Sequence, residues 1–259
     1  MVEIFQTLWI GEKLSVLEKL CLSSWIKNNC LIHLYTYNNI GDVPSGVIVK
    51  DGNTIVPEKD IFYYKNGSVS AFSNFFRFTL LLKHGGVWVD IDLLCISRDF
   101  NQFVTGKKYI FGGETTSSYQ RTLPSSFLIK LPKGSEVAKK AVEIQHKHKK
   151  KILNGEMTWG SGPQTISAII KEFKLEKYIL DWKETTTCGF FDVESLVKTT
   201  HQTNKNCILR PENIHPETKV IHLWNECWRR SKMDKNADFD PKSIIEYYKG
   251  QYLKYRIKI

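Results

Sequence analysis

LLLKHGGVWVDID, residues 80–92, is the stretch that decides the fold. The segment that leads into it, residues 70–84, has the pattern of a helix. The two glycines end that helix, because glycine favours the left-handed backbone found at helix C-termini. The apolar run VWV then predicts a strand that ends in Asp90 and Asp92. Open α/β sheets bind ligands beyond the carboxyl ends of their strands, so these two carboxylates are candidate site residues.

The residues upstream predict a β-α-β unit. Residues 5–10 and 31–37 have strand patterns, and residues 15–28 between them carry apolar side chains at the spacing of one helical face. Residues 47–49 predict a further short strand. A β-α-β unit places its strands parallel. We therefore expect an α/β fold with a parallel sheet.

The pattern weakens after residue 100. Residues 109–114 predict a strand, and residues 136–150 and 164–173 predict helices. The chain shows no internal repeat and no linker, and 259 residues fit one large α/β domain better than two. A single domain is therefore expected.

The composition indicates an ordinary globular protein, with 42% hydrophobic and 25% charged residues. No run approaches the roughly 18 to 20 apolar residues that span a bilayer. The six cysteines contain no Cys-x-x-Cys pair, so we expect free thiols and a cytoplasmic location. They are Cys21, Cys30, Cys95, Cys188, Cys207 and Cys227.

The net charge of +10 favours anionic partners. Nucleotide diphosphates, anionic lipid and nucleic acid all remain open, since charge alone does not choose among them. One alternative to an enzyme is therefore a binding module for nucleic acid or another polyanion. No recognisable RNA- or DNA-binding motif supports it, and two aspartates at a strand end would repel phosphate unless a cation lay between.

Two carboxylates one residue apart are a minimal site for a divalent cation. Such a cation acts as a Lewis acid and neutralises the charge on a departing diphosphate. Alone the motif is weak, because short acidic pairs also occur on solvated turns. Asn74 and Arg77 are one helical turn apart and so share a face from which both could reach one ligand. A structural ion pair between Arg77 and Asp90 is the alternative.

Residues 72–92 resemble the sugar-binding region of the GT32-type glycosyltransferases, which include capsular and outer-chain sugar transferases and α-1,4-galactosyltransferases. That family has a Ser-Asp-x-x-Arg helix start, a Tyr-Gly-Gly turn and a strand ending in Asp-x-Asp. This chain has Ser73, Arg77, the glycine pair and both aspartates at matching spacing. Asn74 stands where the family has Asp, which loses a charge but keeps a hydrogen-bond acceptor.

The resemblance implies a GT-A fold, Rossmann-like and mostly parallel, over residues 1–240. Its nucleotide-sugar half would lie in residues 1–100 and its acceptor half in residues 101–240. The implied reaction is retaining transfer of a hexose from a nucleotide sugar, expected to be a UDP-sugar, to a glycan hydroxyl in surface polysaccharide or lipid-linked glycan synthesis. The catalytic group would comprise the two aspartates and Arg77, which would stabilise the developing charge.

A late segment, VIHLWNECW from Val220, resembles the family's His-x-Trp-x-x-Ser-Trp motif with Cys227 in place of serine. Through this resemblance His222 is expected to be the third ligand of a Mn²⁺ or Mg²⁺ ion, beside the two aspartates. An orienting hydrogen bond is the alternative for His222. Trp224 and Asn225 are expected at the nucleotide sugar, with a core position as the alternative for Trp224.

Two further segments resemble family elements. QTLWIG, from Gln6, resembles the opening strand whose end meets the base and ribose, which implies nucleotide contacts for Gln6 and Trp9. Stacking on the base competes with core packing for Trp9. Residues 160–164 resemble a Gly-Pro element before a helix, where Gln164 would contact the donor. A plain helix-entry turn is the alternative.

The tail, residues 241–259, mixes tyrosines, aliphatic residues and basic residues. This mixture suits a segment that lies on an anionic membrane at its cytoplasmic face. A final helix packed on the domain is equally consistent with the pattern. The expected function favours the membrane slightly, because glycan acceptors are often lipid-linked.

Overall fold

The computed structural model describes residues 2–115, 120–186, 188–198 and 210–253. In these ranges a central sheet is flanked by helices. The strands are β1 (Ile4–Trp9), β2 (Leu31–Thr36), β3 (Ile48–Asp51), β4 (Gly86–Val89), β5 (Leu93–Cys95), β6 (Ile110–Thr115), β7 (Thr122–Leu131) and β8 (Val220–His222). The helices are α1 (Val16–Lys27), α2 (Ser70–His84), α3 (Phe100–Val104), α4 (Glu136–Leu153), α5 (Ser161–Phe173), α6 (Trp182–Thr185), α7 (Asn225–Ser231) and α8 (Ile244–Tyr252).

The six-stranded sheet has the order β3-β2-β1-β4-β7-β6. Strands β1 to β4 pair in parallel, whereas β7 is antiparallel to both β4 and β6. The prediction of an α/β fold with a mostly parallel sheet is confirmed. The long strand β7 was not predicted, because proline and two serines interrupt the first half of its apolar pattern.

The glycine turn between α2 and β4 has the predicted form. Gly85 follows the helix with φ 67° and ψ −154°, a backbone conformation that side chains disfavour. A Cβ on Gly85 would also lie 2.6 Å from the backbone nitrogen of Lys133. Glycine is therefore required here, and it lets the chain pass directly from α2 into the strand that leads to Asp90.

A separate two-stranded sheet carries the other half of the site. Strand β5 begins directly after Asp92 and pairs antiparallel with β8, so that Leu93 lies opposite His222. Helix α1 satisfies the polar groups of β5 with its side chains: Trp25 donates to the Leu93 carbonyl at 2.9 Å, and Ser24 accepts from the Cys95 amide at 2.8 Å. The short strand is thereby fixed on the domain.

The first part of the tail packs on the domain. Ile244, Ile245 and Tyr248 of α8 are buried in a cluster that includes side chains of α1. Lys249 is also buried, and its ammonium donates to the Ala237 carbonyl and to Glu246. Residues 254–259 lie outside the described residues, so membrane contact through the tail stays a prediction.

Two further expectations concern location. No helix within the described ranges is long and apolar enough to cross a membrane. Five cysteines are free thiols, as predicted, and Cys207 lies outside the described residues. The cytoplasmic location stays a prediction.

Candidate active site

Asp90, Asp92 and His222 meet beyond the carboxyl end of β4. One ligand atom from each lies within 4.8 Å of the others, and Nε2 of His222 is 3.5 Å from Oδ2 of Asp92. The pairing of β5 with β8 creates this proximity, because it aligns the residue after Asp92 with His222. Nδ1 of His222 is buried and has no partner among the described residues. Two carboxylates and an imidazole, one of whose nitrogens is unpaired, form a ligand set that suits a divalent cation.

Asp90 is held on one of its two oxygens. Nε1 of Trp88 donates to Oδ1 at 2.7 Å, and Nη1 of Arg77 lies 3.1 Å from the same oxygen. These contacts leave Oδ2 for another partner. Burial raises the pKa of Asp90 above its ordinary value, and the charge of Arg77 offsets part of that effect. Arg77 therefore favours the ionised form that a cation needs.

Asp92 is more deeply buried than Asp90, but neighbouring groups stabilise its ionised form better. The backbone amide of Asn225 donates to its Oδ2 at 2.6 Å. Burial works to raise the pKa of Asp92, but His222 and the hydrogen bond from Asn225 outweigh it, so the pKa is lowered. The carboxylate is therefore ready to bind a cation at neutral pH.

Arg77 and the side-chain nitrogen of Asn74 make hydrogen bonds within the protein. Arg77 is 3% exposed and donates to the carbonyl of Ser126 and to both oxygens of Ser73. Asn74 donates to Oγ of Ser161 at 2.9 Å, which a carboxylate could not do. The contact of Asn74 and Arg77 with one ligand stays a prediction, and the pairing of Arg77 with Asp90, the alternative that the sequence left open, is present.

The predicted nucleotide contacts divide between two places. Trp9 is half-buried at the carboxyl end of β1, and its Nε1 is buried without a described partner. Gln6 is 3% exposed and donates to the Gly85 carbonyl at 2.8 Å. That carbonyl lies at the amino end of β4, whereas Asp90 follows the carboxyl end. Trp9 therefore lies at the carboxyl ends of the strands, where the nucleotide is expected. The side chain of Gln6 instead contacts the amino end of β4.

Trp224 and Asn225 adjoin the metal-ligand candidates. The ring centroid of Trp224 is 3.9 Å from that of His222, and its backbone is left-handed with φ 58°. Nε1 of Trp224 donates to the Cys188 carbonyl at 3.2 Å. The side-chain nitrogen of Asn225 donates to Glu18, and Oδ1 of Asn225 is buried without a described partner. Both residues therefore lie beside the metal-ligand candidates, and their contact with a nucleotide sugar stays a prediction.

Gln164 is exposed on the first turn of α5 and makes no described contact with the aspartates. The glycine beside it has a packing role. A Cβ on Gly162 would lie 2.5 Å from Oδ1 of Asn74 and 2.7 Å from Oγ of Ser126. Glycine at this position lets α5 approach α2 and β7 closely, and a donor contact for Gln164 stays a prediction.

Sequence reasoning missed two acidic residues beside the site. Glu18 is fully buried, and its Oε1 accepts from Asn225 at 3.1 Å and from Lys235 at 2.8 Å. Its capping box with Ser15 is enough to account for an acidic residue at that position, so the sequence gives no separate signal for the contacts with Asn225 and Lys235. Glu114 lies in β6, one residue before its end, and burial raises its pKa while nearby His222 opposes the rise. An acidic residue on a predicted strand was the available signal.

The model of a protein family described as "Capsular polysaccharide synthesis protein" matches residues 19–223. The chain belongs to this family. No curated protein matches the chain in sequence. The capsular part of the predicted resemblance agrees with this family, whereas the GT32 grouping stays a prediction.

Among the solved structures that resemble this fold are the glycosyltransferases GlyE and PaToxG. The apo form of the glycosyltransferase GlyE from Streptococcus pneumoniae TIGR4 has 14% sequence identity and a TM-score of 0.50, over 98% of this chain and 65% of GlyE. The glycosyltransferase PaToxG has 13% identity and a TM-score of 0.44, over 66% of this chain and 69% of that chain. The chain of this protein therefore spans about 65% of the length of GlyE. At this sequence identity the likeness shows the fold alone. Together with the family, this fold supports a transferase enzyme.

Proposed function

We propose that this protein is a metal-dependent glycosyltransferase that moves a hexose from a UDP-sugar to a glycan hydroxyl in polysaccharide synthesis. The observation that carries the proposal is the convergence of Asp90, Asp92 and His222 at the carboxyl end of β4. Ligands bind at this edge in open α/β sheets. Retention of the anomeric configuration is inferred from the GT32 resemblance.

The three side chains would hold Mn²⁺ or Mg²⁺, with one oxygen of each aspartate and one imidazole nitrogen. The bound cation supplies Lewis-acid stabilisation of the charge on the departing diphosphate. Oδ2 of Asp90 is the oxygen that would bind the cation, because Trp88 and Arg77 both engage Oδ1. An imidazole ligand favours Mn²⁺ over Ca²⁺, which prefers all-oxygen sites.

The remaining residues position the donor. Trp9, at the carboxyl end of β1, offers its ring to the uracil base, since stacking requires only an aromatic face. Trp224, beside His222, offers its ring to the sugar or the diphosphate. In the transfer step the acceptor oxygen bonds to C1 of the hexose, the bond from C1 to the diphosphate oxygen breaks, and the hydroxyl proton passes to the diphosphate.

Incubation of the protein with UDP-sugars and Mn²⁺ is expected to release UDP slowly even without an acceptor, because water can replace the acceptor hydroxyl. Chelation with EDTA should stop the release, and Mn²⁺ should restore it better than Ca²⁺. A coupled assay for UDP measures both effects. Unchanged release after exhaustive chelation would contradict metal dependence, and polyanion binding with no release from any nucleotide sugar would contradict the enzyme.

Glu18→Leu is expected to weaken Mn²⁺ binding up to about 10-fold, the lower end of the effect of losing a group that orients a metal ligand. Glu18 fixes the side chain of Asn225, whose backbone amide in turn holds Asp92. The loss should appear in direct Mn²⁺ titration by electron paramagnetic resonance, which needs no turnover.

Ser15→Ala is the matched control, because it removes the helix-capping hydroxyl that donates to Glu18 but leaves the hydrogen bond from Asn225 to Glu18. Its expected cost is about 1 kcal/mol of unfolding free energy with unchanged Mn²⁺ affinity. Equal Mn²⁺ affinity in the Glu18 variant and the unmodified protein would show that Glu18 serves only the helix.

A further inference from the structure

Three large apolar side chains are exposed around the C-terminal end of α4. Leu153, the last residue of this helix, is 62% exposed, and Trp159, in the turn that leads to α5, is 48% exposed. Tyr63, in the loop before α2, is 50% exposed. Single exposed apolar residues are common on protein surfaces, so only a group of them indicates a surface that binds a partner.

The loop that carries Tyr63 packs on the end of α4 and on the turn after it. The ring of Phe62 lies 5.2 Å from the ammonium of Lys149, near the end of α4. The ring of Tyr64 packs 5.9 Å from that of Trp159. The residues on both sides of Tyr63 therefore contact α4 and its turn, which brings the three exposed side chains to one part of the surface.

Cations surround these side chains. Lys150 and Lys151, in the last turn of α4, are exposed, and no acidic side chain among the described residues forms a salt bridge with either. Lys65 is also exposed, and its ammonium lies against Gly155 of the turn. The turn carries one acidic side chain, Glu156. The three lysines therefore leave this part of the surface positive.

The helix dipole accounts for only part of this pattern. Cations in the last turn of a helix stabilise it, because they face the negative end of the dipole. This effect explains Lys150 and Lys151 but not the exposed Leu153 and Trp159 beside them. Exposure of these two side chains to water is unfavourable, and a partner with an apolar region would remove that cost.

The exposed turn adjoins the candidate active site. Trp159 lies two residues before Ser161, whose Oγ accepts from Asn74 at 2.9 Å. Asn74 precedes Arg77 by one helical turn, and Nη1 of Arg77 lies 3.1 Å from Oδ1 of Asp90. A short series of contacts therefore connects the exposed turn to the metal-ligand candidates.

We propose that the surface formed by Tyr63, Lys65, Lys150, Lys151, Leu153 and Trp159, called the α4–α5 surface below, binds an anionic lipid bilayer. Tryptophan and tyrosine suit the headgroup level, leucine suits the acyl boundary, and lysines attract anionic headgroups. A bilayer fits better than nucleic acid, because an exposed leucine is buried at the acyl boundary but gains little from a sugar-phosphate backbone. The position beside the candidate active site suits an acceptor carried on a lipid, and only this consequence rests on the proposed function.

The test is sedimentation of the full-length protein with vesicles of phosphatidylcholine, with and without phosphatidylserine. The unmodified protein should bind the anionic vesicles, more strongly at low salt than at high salt. Lys150→Gln with Lys151→Gln is expected to lower the partition coefficient about 30-fold, since each lysine near an anionic surface contributes a factor of about five. Leu153→Ser with Trp159→Ser should lower it about tenfold or more through the lost apolar contact.

Lys107→Gln with Lys108→Gln is the matched control, because it removes the same charge from two exposed positions before β6. Ile110, at the start of β6, is level with Val87 near the amino end of β4, so the control lies at the opposite edge of the sheet from Asp90. The control variant should bind the anionic vesicles as the unmodified protein does. Because all the replaced side chains are exposed, every variant should also keep the unfolding transition of the unmodified protein.

Two results would overturn the proposal. Vesicle binding that survives both surface variants would assign membrane contact to another segment, such as the tail. No vesicle binding by the unmodified protein would exclude a bilayer as the partner, and binding of a labelled oligouridylate in its place would indicate nucleic acid. The assay contains no nucleotide sugar, so its result is independent of the UDP-release experiment that tests the proposed function.

Discussion

Asp92→Asn is expected to lower kcat/KM for transfer about 1,000-fold or more, equivalent to about 4 kcal/mol of transition-state stabilisation. Asparagine keeps the shape of the side chain, and its oxygen can still accept the 2.6 Å hydrogen bond from the backbone amide of Asn225. What is lost is the charge that binds the cation beside His222. The fold should therefore persist while turnover and Mn²⁺ affinity fall together.

The stability that Asp92 contributes to the unmodified protein without metal depends on pH in a defined direction. The folded-state pKa of Asp92 is lowered, so its ionisation stabilises the fold above the ordinary carboxyl range. In EDTA, the unmodified protein should exceed Asp92→Asn in stability at neutral pH. This difference should vanish as the pH falls through the lowered pKa, which denaturant unfolding at several pH values measures.

Asp99→Asn is the control for Asp92, because Asp99 is an exposed carboxylate near β5 that bonds to Ser97 and pairs with Lys219. It should keep full turnover and full Mn²⁺ affinity. An Asp92 variant with near-normal turnover in Mn²⁺ would remove Asp92 from the metal site and would leave the proposed mechanism without its main support.

The parallel half of the fold was predictable from the sequence because its signals are local. The capping box at Ser15 begins α1, the glycine pair ends α2, and the run VWV then forms β4. Each signal acts within a few residues. Strand β7 could not be predicted in this way, since its formation depends on pairing with β4 and β6.

The candidate site was predictable to the level of residue types but not of contacts. Asp90 and Asp92 follow from the end of a strand, whereas the proximity of His222 requires the pairing of β5 with β8 across more than a hundred residues. Local helical geometry also predicted a shared face for Asn74 and Arg77. It could not show that Ser161 and Asp90 already engage their polar groups.

Arg77→Met is expected to cost about 3 to 5 kcal/mol of unfolding free energy when measured without metal. The guanidinium is 3% exposed and lies 3.1 Å from Oδ1 of Asp90, while its other donors satisfy the Ser126 and Ser73 carbonyls. Methionine fills a similar volume but leaves the Ser126 carbonyl without this donor and Asp90 without its counter-charge. Arg77→Lys keeps the charge but not the planar fork, so its loss should be smaller.

A double variant separates the ion pair from the packing. In Arg77→Met with Asp90→Asn no unpaired carboxylate remains, so part of the lost stability should return, and the cycle gives the coupling free energy. Saturating Mn²⁺ should stabilise the single Arg77→Met variant more than it stabilises the unmodified protein, because the cation then replaces a missing counter-charge on Asp90. Denaturant unfolding with EDTA and with Mn²⁺ measures both effects. A loss below about 1 kcal/mol, the level of an exposed ion pair, would show that Arg77 does not support Asp90.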